Sequence, residues 1–374
     1  MTAPTALLVA PGPDVAVRLS GRPRRRIAGL PLHLRNRRVA ERAGCVVDQD
    51  AGAAWTLVVP PTAAIETALF QGLPLTSAPV RLTCGPASAI WGPAQLVANL
   101  PADAALSEVA LPEGALLDAA SVRAAARATW AVLQKTGKPS DGPVARRLNR
   151  PLSRLLSFAL LALRLTPLHG SLVCLATGLG AAVAAAVPTG PALAVGGLLY
   201  QGASVIDGTD GEMARARLEE GPRGALIDTA VDNVTQVACL VGFAVGWLRS
   251  EHGPFDHALS VLVLAGVPTA LVQALLFTRR YAPDASLVFL ARAAQAAGRR
   301  SRSLALRAVG ALFPLLRRDA LALILMTAAF TGSRELIMGL VAAGVLVGLY
   351  ALNLGHRELV AAAADGLADP VPSA

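Results

Sequence analysis

Asp207-Gly-Thr-Asp210-Gly211-Glu-Met-Ala214-Arg215 is followed, after eight residues, by Gly224-Ala-Leu-Ile-Asp228-Thr-Ala-Val-Asp232. On helices, residues 207, 210, 211 and 214 share one face, and 224, 228 and 232 share another. Two antiparallel helices joined near Glu219–Arg223 therefore aim four carboxylates at one another. Gly211 and Gly224 carry no side chain on those faces, which permits close approach of a backbone or a ligand.

The surroundings make those acids costly. Of the 374 residues, 54% are hydrophobic and only 16% charged, and the mean hydropathy is +0.52, too apolar for a pair of soluble domains. Residues 1–150 mix charge, proline and short apolar runs, whereas residues 166–357 hold nearly every long uncharged stretch. Six apolar segments approach the length of a membrane span: 167–187, 190–212, 225–248, 257–277, 319–331 with its flanks, and 335–355. The connection from Arg279 to Arg318 carries nine arginines and one acid, Asp284. By the positive-inside rule that connection, both termini and the turn between the second and third segments lie in the cytoplasm.

An aspartate at the centre of a membrane helix costs roughly 2.5–3.5 kcal/mol on insertion scales. Two such charges about 5 Å apart repel by about 3 kcal/mol at an effective dielectric of 20. Solvated loop aspartates or partners of nearby arginines are the bland alternative, but bound divalent cations answer the repulsion directly. Oxygen-only ligands select Mg²⁺ or Mn²⁺ over zinc or copper. A pair of such ions polarises phosphoryl oxygens and stabilises a pyrophosphate leaving group.

The fold class expected is a small cytoplasmic α/β domain followed by an all-α polytopic membrane domain of six transmembrane helices. Residues 1–134 form the first domain, with candidate strands at Ala6–Ala10, Thr56–Val59 and Val80–Thr83 and helical patterns at Leu32–Ala43 and Ser121–Leu133. Residues 135–165 hold a turn-rich linker and a basic amphipathic helix, Val144–Leu165, suited to the headgroup plane although Pro151 weakens its start. The membrane domain takes 166–357, and 358–374 is a cytoplasmic tail. The formal charge of +9 is assigned to anionic lipid rather than nucleic acid, because the arginines flank apolar runs. Cys45, Cys84, Cys174 and Cys239 stand far apart with no CxxC pair, indicating neither a disulfide framework nor a zinc site. With two lysines, Lys135 and Lys138, among 34 basic residues, the composition suggests a GC-rich bacterial genome and hence the bacterial inner membrane.

The spacing D-x2-D-G-x2-A-R-x8-G-x3-D-x3-D, complete from Asp207 to Asp232, resembles the signature of the CDP-alcohol phosphotransferase (phosphatidyltransferase) family over roughly residues 140–357. The resemblance implies a six-helix membrane domain with a polar cavity open to the cytoplasm. It also implies transfer of a phosphate-linked alcohol from a CDP-alcohol to an alcohol or polyol-phosphate acceptor, releasing CMP. Asp207, Asp210 and Asp228 would then be ligands of two Mg²⁺ or Mn²⁺ ions, and Asp232 a ligand or the general base. Gly211, Ala214, Arg215 and Gly224 would line the CDP site. Arg279, Arg280, Arg317 and Arg318 are candidates for clamping an acceptor phosphate, or anchors in anionic headgroups. Members of the family are often dimeric, so a homodimer is an implied partner arrangement.

Ile27-Ala-Gly-Leu-Pro-Leu-His-Leu-Arg with Val39-Ala-Glu-Arg-Ala-Gly44 resembles the early part of a sugar-nucleotidyltransferase fold. Asp141-Gly with Arg147-Leu-Asn-Arg-Pro-Leu-Ser153 resembles the junction of fused inositol-phosphate enzymes. The nucleotide loop is read as Ala10-Pro-Gly-Pro-Asp14, poor in free amide donors. No lysine occurs in 1–134, and Val80–Gly85 and Ile90–Gly92 lack aspartate. These departures point to a degenerate domain; the alternative is a bifunctional enzyme whose first domain makes the CDP-polyol donor.

Overall fold

The computed structural model describes residues 8–21, 25–48, 52–250, 254–282 and 287–366. They divide into two compact units: Met1–Thr136 with Arg154–Pro167 and Gly211–Gly221, and Gly137–Ser153 with Leu168–Asp210 and Pro222–Ala374.

In chain order the first unit begins β1 (Val15–Leu19), β2 (Arg26–Ile27), β3 (Leu30–Pro31), α1 (Leu32–Arg42), β4 (Val46–Val47), β5 (Trp55–Val59) and β6 (Ala63–Ile65). It continues with β7 (Val80–Cys84), β8 (Ala87–Pro93), α2 (Ala94–Ala98), β9 (Ser107–Ala110), β10 (Leu116–Asp118) and α3 (Val122–Gln134). Six strands form one mixed sheet in the order β4-β1-β5-β8-β7-β9, parallel at β4-β1-β5 and β7-β9 and antiparallel at β5-β8-β7. Val15, Val17, Leu57, Leu82 and Trp91 meet in its core, and Trp91 stacks on Trp55 at 5.3 Å between centroids.

The expected strands at 56–59 and 80–83 are present. Of the expected Ala6–Ala10 strand, residues 6 and 7 lie outside the described residues, and Leu8 makes only an isolated bridge to Pro74. The first strand is Val15–Leu19 instead, paired on both sides. A central parallel strand is buried on both faces and need not alternate, so periodicity does not reveal it. The loop leaving that strand therefore begins at Ser20 and Gly21, and Ala10–Asp14 leads into β1 rather than out of it. The nucleotide-loop reading of 10–14 is corrected accordingly, since such loops follow the first strand.

Ala28 and Gly29, with φ of 51° and 73°, make the two-residue turn between β2 and β3, a twist that suits a tight hairpin. The Ala28 amide donates to Thr129 Oγ1 on α3 at 3.1 Å. Helix α1 is clipped to β6 by buried polar groups. Asn36 Nδ2 donates to the Ala63 carbonyl at 2.9 Å, its Oδ1 accepts from the Ile65 amide at 3.1 Å, and Arg35 pairs with Glu66.

Two later helices join the units through the continuous chain. Helix α4 (Arg150–Ala162) follows a π-helical turn, Ala145–Asn149; Pro151 has no N–H to close an α-turn, and the helix widens just before it. Leu160 and Leu161 of α4 are buried with Ile27, Leu32, Met213 and Ala216, while Leu155 and Leu163 stay exposed. The last turns of α6 (Gly190–Arg217) are gripped in the same unit. Ser157 Oγ donates to Glu212 at 2.8 Å, Arg215 Nε donates to the Thr136 carbonyl at 2.8 Å, and Arg38 pairs with Glu219 at 2.9 Å. Burial pushes the Glu219 carboxyl upward, but hydrogen bonds from Arg217 and Arg38 outweigh it and hold it below the usual range. Leu218, at φ 56°, turns the chain out of α6 in a conformation that L residues rarely adopt.

The second unit is helical: α5 (Pro167–Ala185), most of α6, α7 (Pro222–Leu248), α8 (Pro254–Tyr281), α9 (Leu287–Arg300), α10 (Leu304–Leu312), α11 (Arg318–Phe330), α12 (Arg334–Asn353) and α13 (His356–Gly366). Each expected span coincides with a helix, and four helices, α5, α7, α8 from His257 and α12, are long and apolar enough to cross a membrane. Helix α6 has 28 residues but carries Asp207, Asp210, Glu212, Arg215 and Arg217 in its second half. Helix α11 has 13 residues, about 20 Å at 1.5 Å per residue. The arginine-rich connection is not an open loop; it folds into α9 and α10, with Asp284 outside the described residues.

Helix α7 lies against α5 at backbone contact. A Cβ on Gly242 would stand 2.4 Å from the Ala182 carbonyl oxygen, and one on Gly178 would stand 2.5 Å from Thr235 Cγ2. This contact fixes the rotation of α7 and hence the direction of Asp228 and Asp232.

Glu66→Ala leaves the Arg35 guanidinium buried and uncompensated, and is expected to cost about 3–5 kcal/mol. Urea unfolding of the purified chain followed by tryptophan fluorescence checks this; a loss under about 1 kcal/mol, the range of exposed pairs, contradicts it.

Candidate active site

One helical face of α6 and one of α7 supply the acids. Asp207, Asp228 and Asp232 each offer a carboxylate oxygen, and these atoms lie within 4.8 Å of one another. Asp210 is buried beside them with Oδ2 accepting from Ser171 Oγ of α5, and its charge repels that of Asp228. Thus three of the four expected carboxylates converge, while the fourth faces a hydroxyl donor on the neighbouring helix.

The positive charge within this group comes from Arg318, the first residue of α11. Its Nη1 donates to Asp207 at 2.9 Å and also to Asp232; its Nη2 donates to Thr235 Oγ1 at 3.0 Å and to Cys174 Sγ at 3.5 Å. One guanidinium thereby ties α11 to α5, α6 and α7. Three carboxylates face this one guanidinium directly, and the charges of Arg150 and Lys138 also act on Asp207. The donor set is oxygen only, and opposite ligands of a Mg²⁺ ion stand about 4.2 Å apart. Chemistry and spacing both fit a hard divalent ion held by Asp207, Asp228 and Asp232.

Asp207 and Asp232 open on a cavity of about 430 Å³. Lys138, Asp141, Arg150, Arg317 and Arg318 line its polar part; Val267, Leu271, Leu340 and Val345 are among the apolar residues of the remainder. Arg150 grips Asp141 with Nε and Nη2, both at 2.8 Å, and its Nη1 lies against Gly208, where a Cβ would come within 2.7 Å. Gly208 therefore makes room for the guanidinium beside the Asp207 backbone. Asn149 Nδ2 donates to Ser204 Oγ at 3.1 Å and its Oδ1 accepts from Gln201 at 2.9 Å, locking the π-turn onto α6. Arg317 donates to the Ser140 carbonyl at 2.9 Å, and Asp319 accepts from the Ala145 amide at 3.1 Å.

Other expected site residues are placed as follows. Gly211 faces the Arg215 guanidinium, with 3.0 Å between its would-be Cβ and Nη1. Ala214 lies one turn before the end of α6, its carbonyl accepting from the Glu219 amide at 2.8 Å. Gly224 is exposed with open space where a Cβ would stand. Arg317 and Arg318 line the cavity; Arg279 and Arg280 are exposed at the end of α8 and are not among its lining residues. Lys138, Asn149, Arg150 and Gly208 were passed over as site residues by sequence reasoning, although Arg150 falls within the junction motif and Gly208 within the aspartate motif.

Burial pushes the Asp141 carboxyl upward, but the Arg150 hydrogen bonds and charge outweigh it and hold it below the usual range. As the pH drops, the unfolded chain therefore takes up the proton first. The stabilisation is whole above the ordinary aspartate value of about 3.9 and disappears as the pH falls through the lowered folded value. Asp141→Asn is expected to lose about 1.5–3 kcal/mol at neutral pH, with the gap to the parent chain closing in strong acid. Denaturation midpoints across pH 3–7 measure it, and a gap that is independent of pH contradicts the assignment.

No family model matches the chain. Over 115 residues it is 39% identical to the bifunctional IPC transferase and DIPP synthase of Rubrobacter xylanophilus, covering 31% of this chain and 26% of that protein. Proteins of the same name from Thermococcus kodakarensis (32% over 126 residues; 34% and 27% covered) and Archaeoglobus fulgidus (34% over 107; 28% and 21%) are also similar. The matches thus span about a quarter of the length of these curated relatives. The paired acidic helices and these similarities together support a nucleotidyltransferase-like N-terminal part joined to a CDP-alcohol phosphotransferase part, and relate the chain to the bifunctional IPC transferase and DIPP synthases.

Proposed function

We propose that the chain is an integral membrane CDP-alcohol phosphotransferase that moves a phosphate-linked alcohol from a CDP-alcohol to an alcohol acceptor and releases CMP. The observation that carries this reading is the convergence of Asp207, Asp228 and Asp232 at a cavity also lined by Lys138, Arg150, Arg317 and Arg318. In this proposal all six segments span the inner membrane of a bacterium, with both termini and the site on the cytoplasmic side. The relatives' names imply CDP-alcohol and inositol-phosphate type substrates, and a phosphorylated polyol acceptor suits the basic lining.

Asp207, Asp210 and Asp228 would hold two Mg²⁺ or Mn²⁺ ions. The ions supply Lewis-acid polarisation of the pyrophosphate and charge compensation for the leaving group. Gly211, Ala214, Arg215 and Gly224 border the CDP moiety, the open space at Gly224 admitting it. Arg317 and Arg318 hold the acceptor phosphate; Arg279 and Arg280, away from the cavity, have no part in it. Asp232 takes the proton from the acceptor hydroxyl as its oxygen attacks the phosphorus bearing the donor alcohol. The bond from that phosphorus to the oxygen bridging it to CMP breaks, and CMP departs with the electron pair.

The test is CMP release by the purified chain, with CDP-diacylglycerol and CDP-polyols as donors and polyol phosphates as acceptors. Release is expected to need Mg²⁺ or Mn²⁺ and to stop on chelation. Asp232→Asn is expected to lower turnover by about 10²–10⁴ while leaving CDP-alcohol binding largely intact. Near-parental turnover removes the base role, and metal-independent release removes the metal-assisted reading.

A second reading follows from the word bifunctional in the relatives' names: the first unit makes the CDP-polyol itself. The absence of lysine from 1–134 weighs against it. Pyrophosphate release by the full chain from CTP and a polyol phosphate would restore it.

A further inference from the structure

Helices α9 and α10 form a hairpin whose backbones touch: a Cβ on Gly298 would lie 2.9 Å from Gly310 Cα, and one on Gly310 would lie 2.9 Å from the Ala294 carbonyl oxygen. Leu290, Ala294 and Ala297 of α9 and Leu306 and Val309 of α10 are buried together with Phe277, Leu352 and Leu359. That inner face satisfies the apolar pattern of both helices. The outward face of α10 is nonetheless apolar as well: Leu304 is 78% exposed, Leu312 44% and Leu315, just beyond it, 46%. On α9, α10 and the turn between them Arg292, Arg299, Arg302 and Arg307 are exposed. The sequence from 279 to 316 carries seven arginines and one acid, Asp284.

A helix apolar on two faces needs an apolar neighbour on the second, and exposed arginines on the same segment attract anions around that neighbour. A bilayer surface rich in anionic headgroups offers both in one layer. It is also at hand, because α8, a helix long and apolar enough to cross a membrane, precedes α9 directly in the chain. We propose that the α9–α10 hairpin is a docking surface for anionic phospholipid, with Leu304, Leu312 and Leu315 inserted among the headgroups and Arg292, Arg299, Arg302 and Arg307 bound to their phosphates. The same segment supplies Leu290, Ala291, Phe313 and Leu316 to the cavity wall, so lipid docking orders one side of the cavity.

The experiment is hydrogen exchange on the full chain in nanodiscs of phosphatidylcholine alone and of phosphatidylcholine mixed with phosphatidylglycerol. Amides of residues 289–316 are expected to exchange about tenfold more slowly or better in the anionic discs. High salt is expected to remove most of the difference. Combining Arg292→Gln, Arg299→Gln, Arg302→Gln and Arg307→Gln is expected to abolish the lipid dependence while α5, α7 and α12 keep parental protection. Equal exchange of the parent chain in the two discs overturns the proposal without any variant. So does equal protection by single-stranded RNA in neutral discs, which makes the basic face a nucleic-acid surface instead.

Discussion

Like charges confined between apolar helices must be compensated, and in this protein the compensation runs through Arg318. Its guanidinium touches Asp207 on α6, Asp232 and Thr235 on α7 and Cys174 on α5. Without a cation at that point the acids repel one another and oppose the apolar packing of the helices that carry them. In the proposed function, bound divalent cations would compensate the acidic charge that Arg318 leaves.

Close packing gives this electrostatic arrangement its geometry. Gly178 and Gly242 bring α5 and α7 to backbone contact, so α7 has little freedom to rotate and its two aspartates are aimed rather than merely present. The π-turn at Ala145–Asn149 is locked onto α6 through Asn149, Ser204 and Gln201. It presents Arg150 to Gly208 beside the first aspartate. Small residues and buried amides thus set the positions of charged groups that would otherwise move apart.

The end of α6 belongs to a different environment. Glu212, Arg215, Arg217 and Glu219 are held by Ser157, Thr136, Leu165 and Arg38 within the first unit. One continuous helix therefore carries catalytic-type acids in its middle and serves as an element of the α/β unit at its tip. Residues Gly211–Gly221, at the tip of α6 and just after it, thus pack as part of the first unit.

Sequence alone determined the pairing of acidic helices and the places of the helical segments, because helical spacing and the cost of charge in apolar surroundings are local rules. It also gave the strands at 56–59 and 80–83. It misplaced the first strand, since Val15–Leu19 is a central parallel strand without alternation, and it could not separate Asp210 from the other three acids, since Ser171 lies 39 residues away. Only the tertiary structure decided that Arg318 and Arg317, and not Arg279 and Arg280, reach the cavity, that Lys138 and Arg150 join them, and that the arginine-rich connection is a helical hairpin. Those outcomes depend on which distant residues are neighbours in space, and no spacing rule along a single helix contains that information.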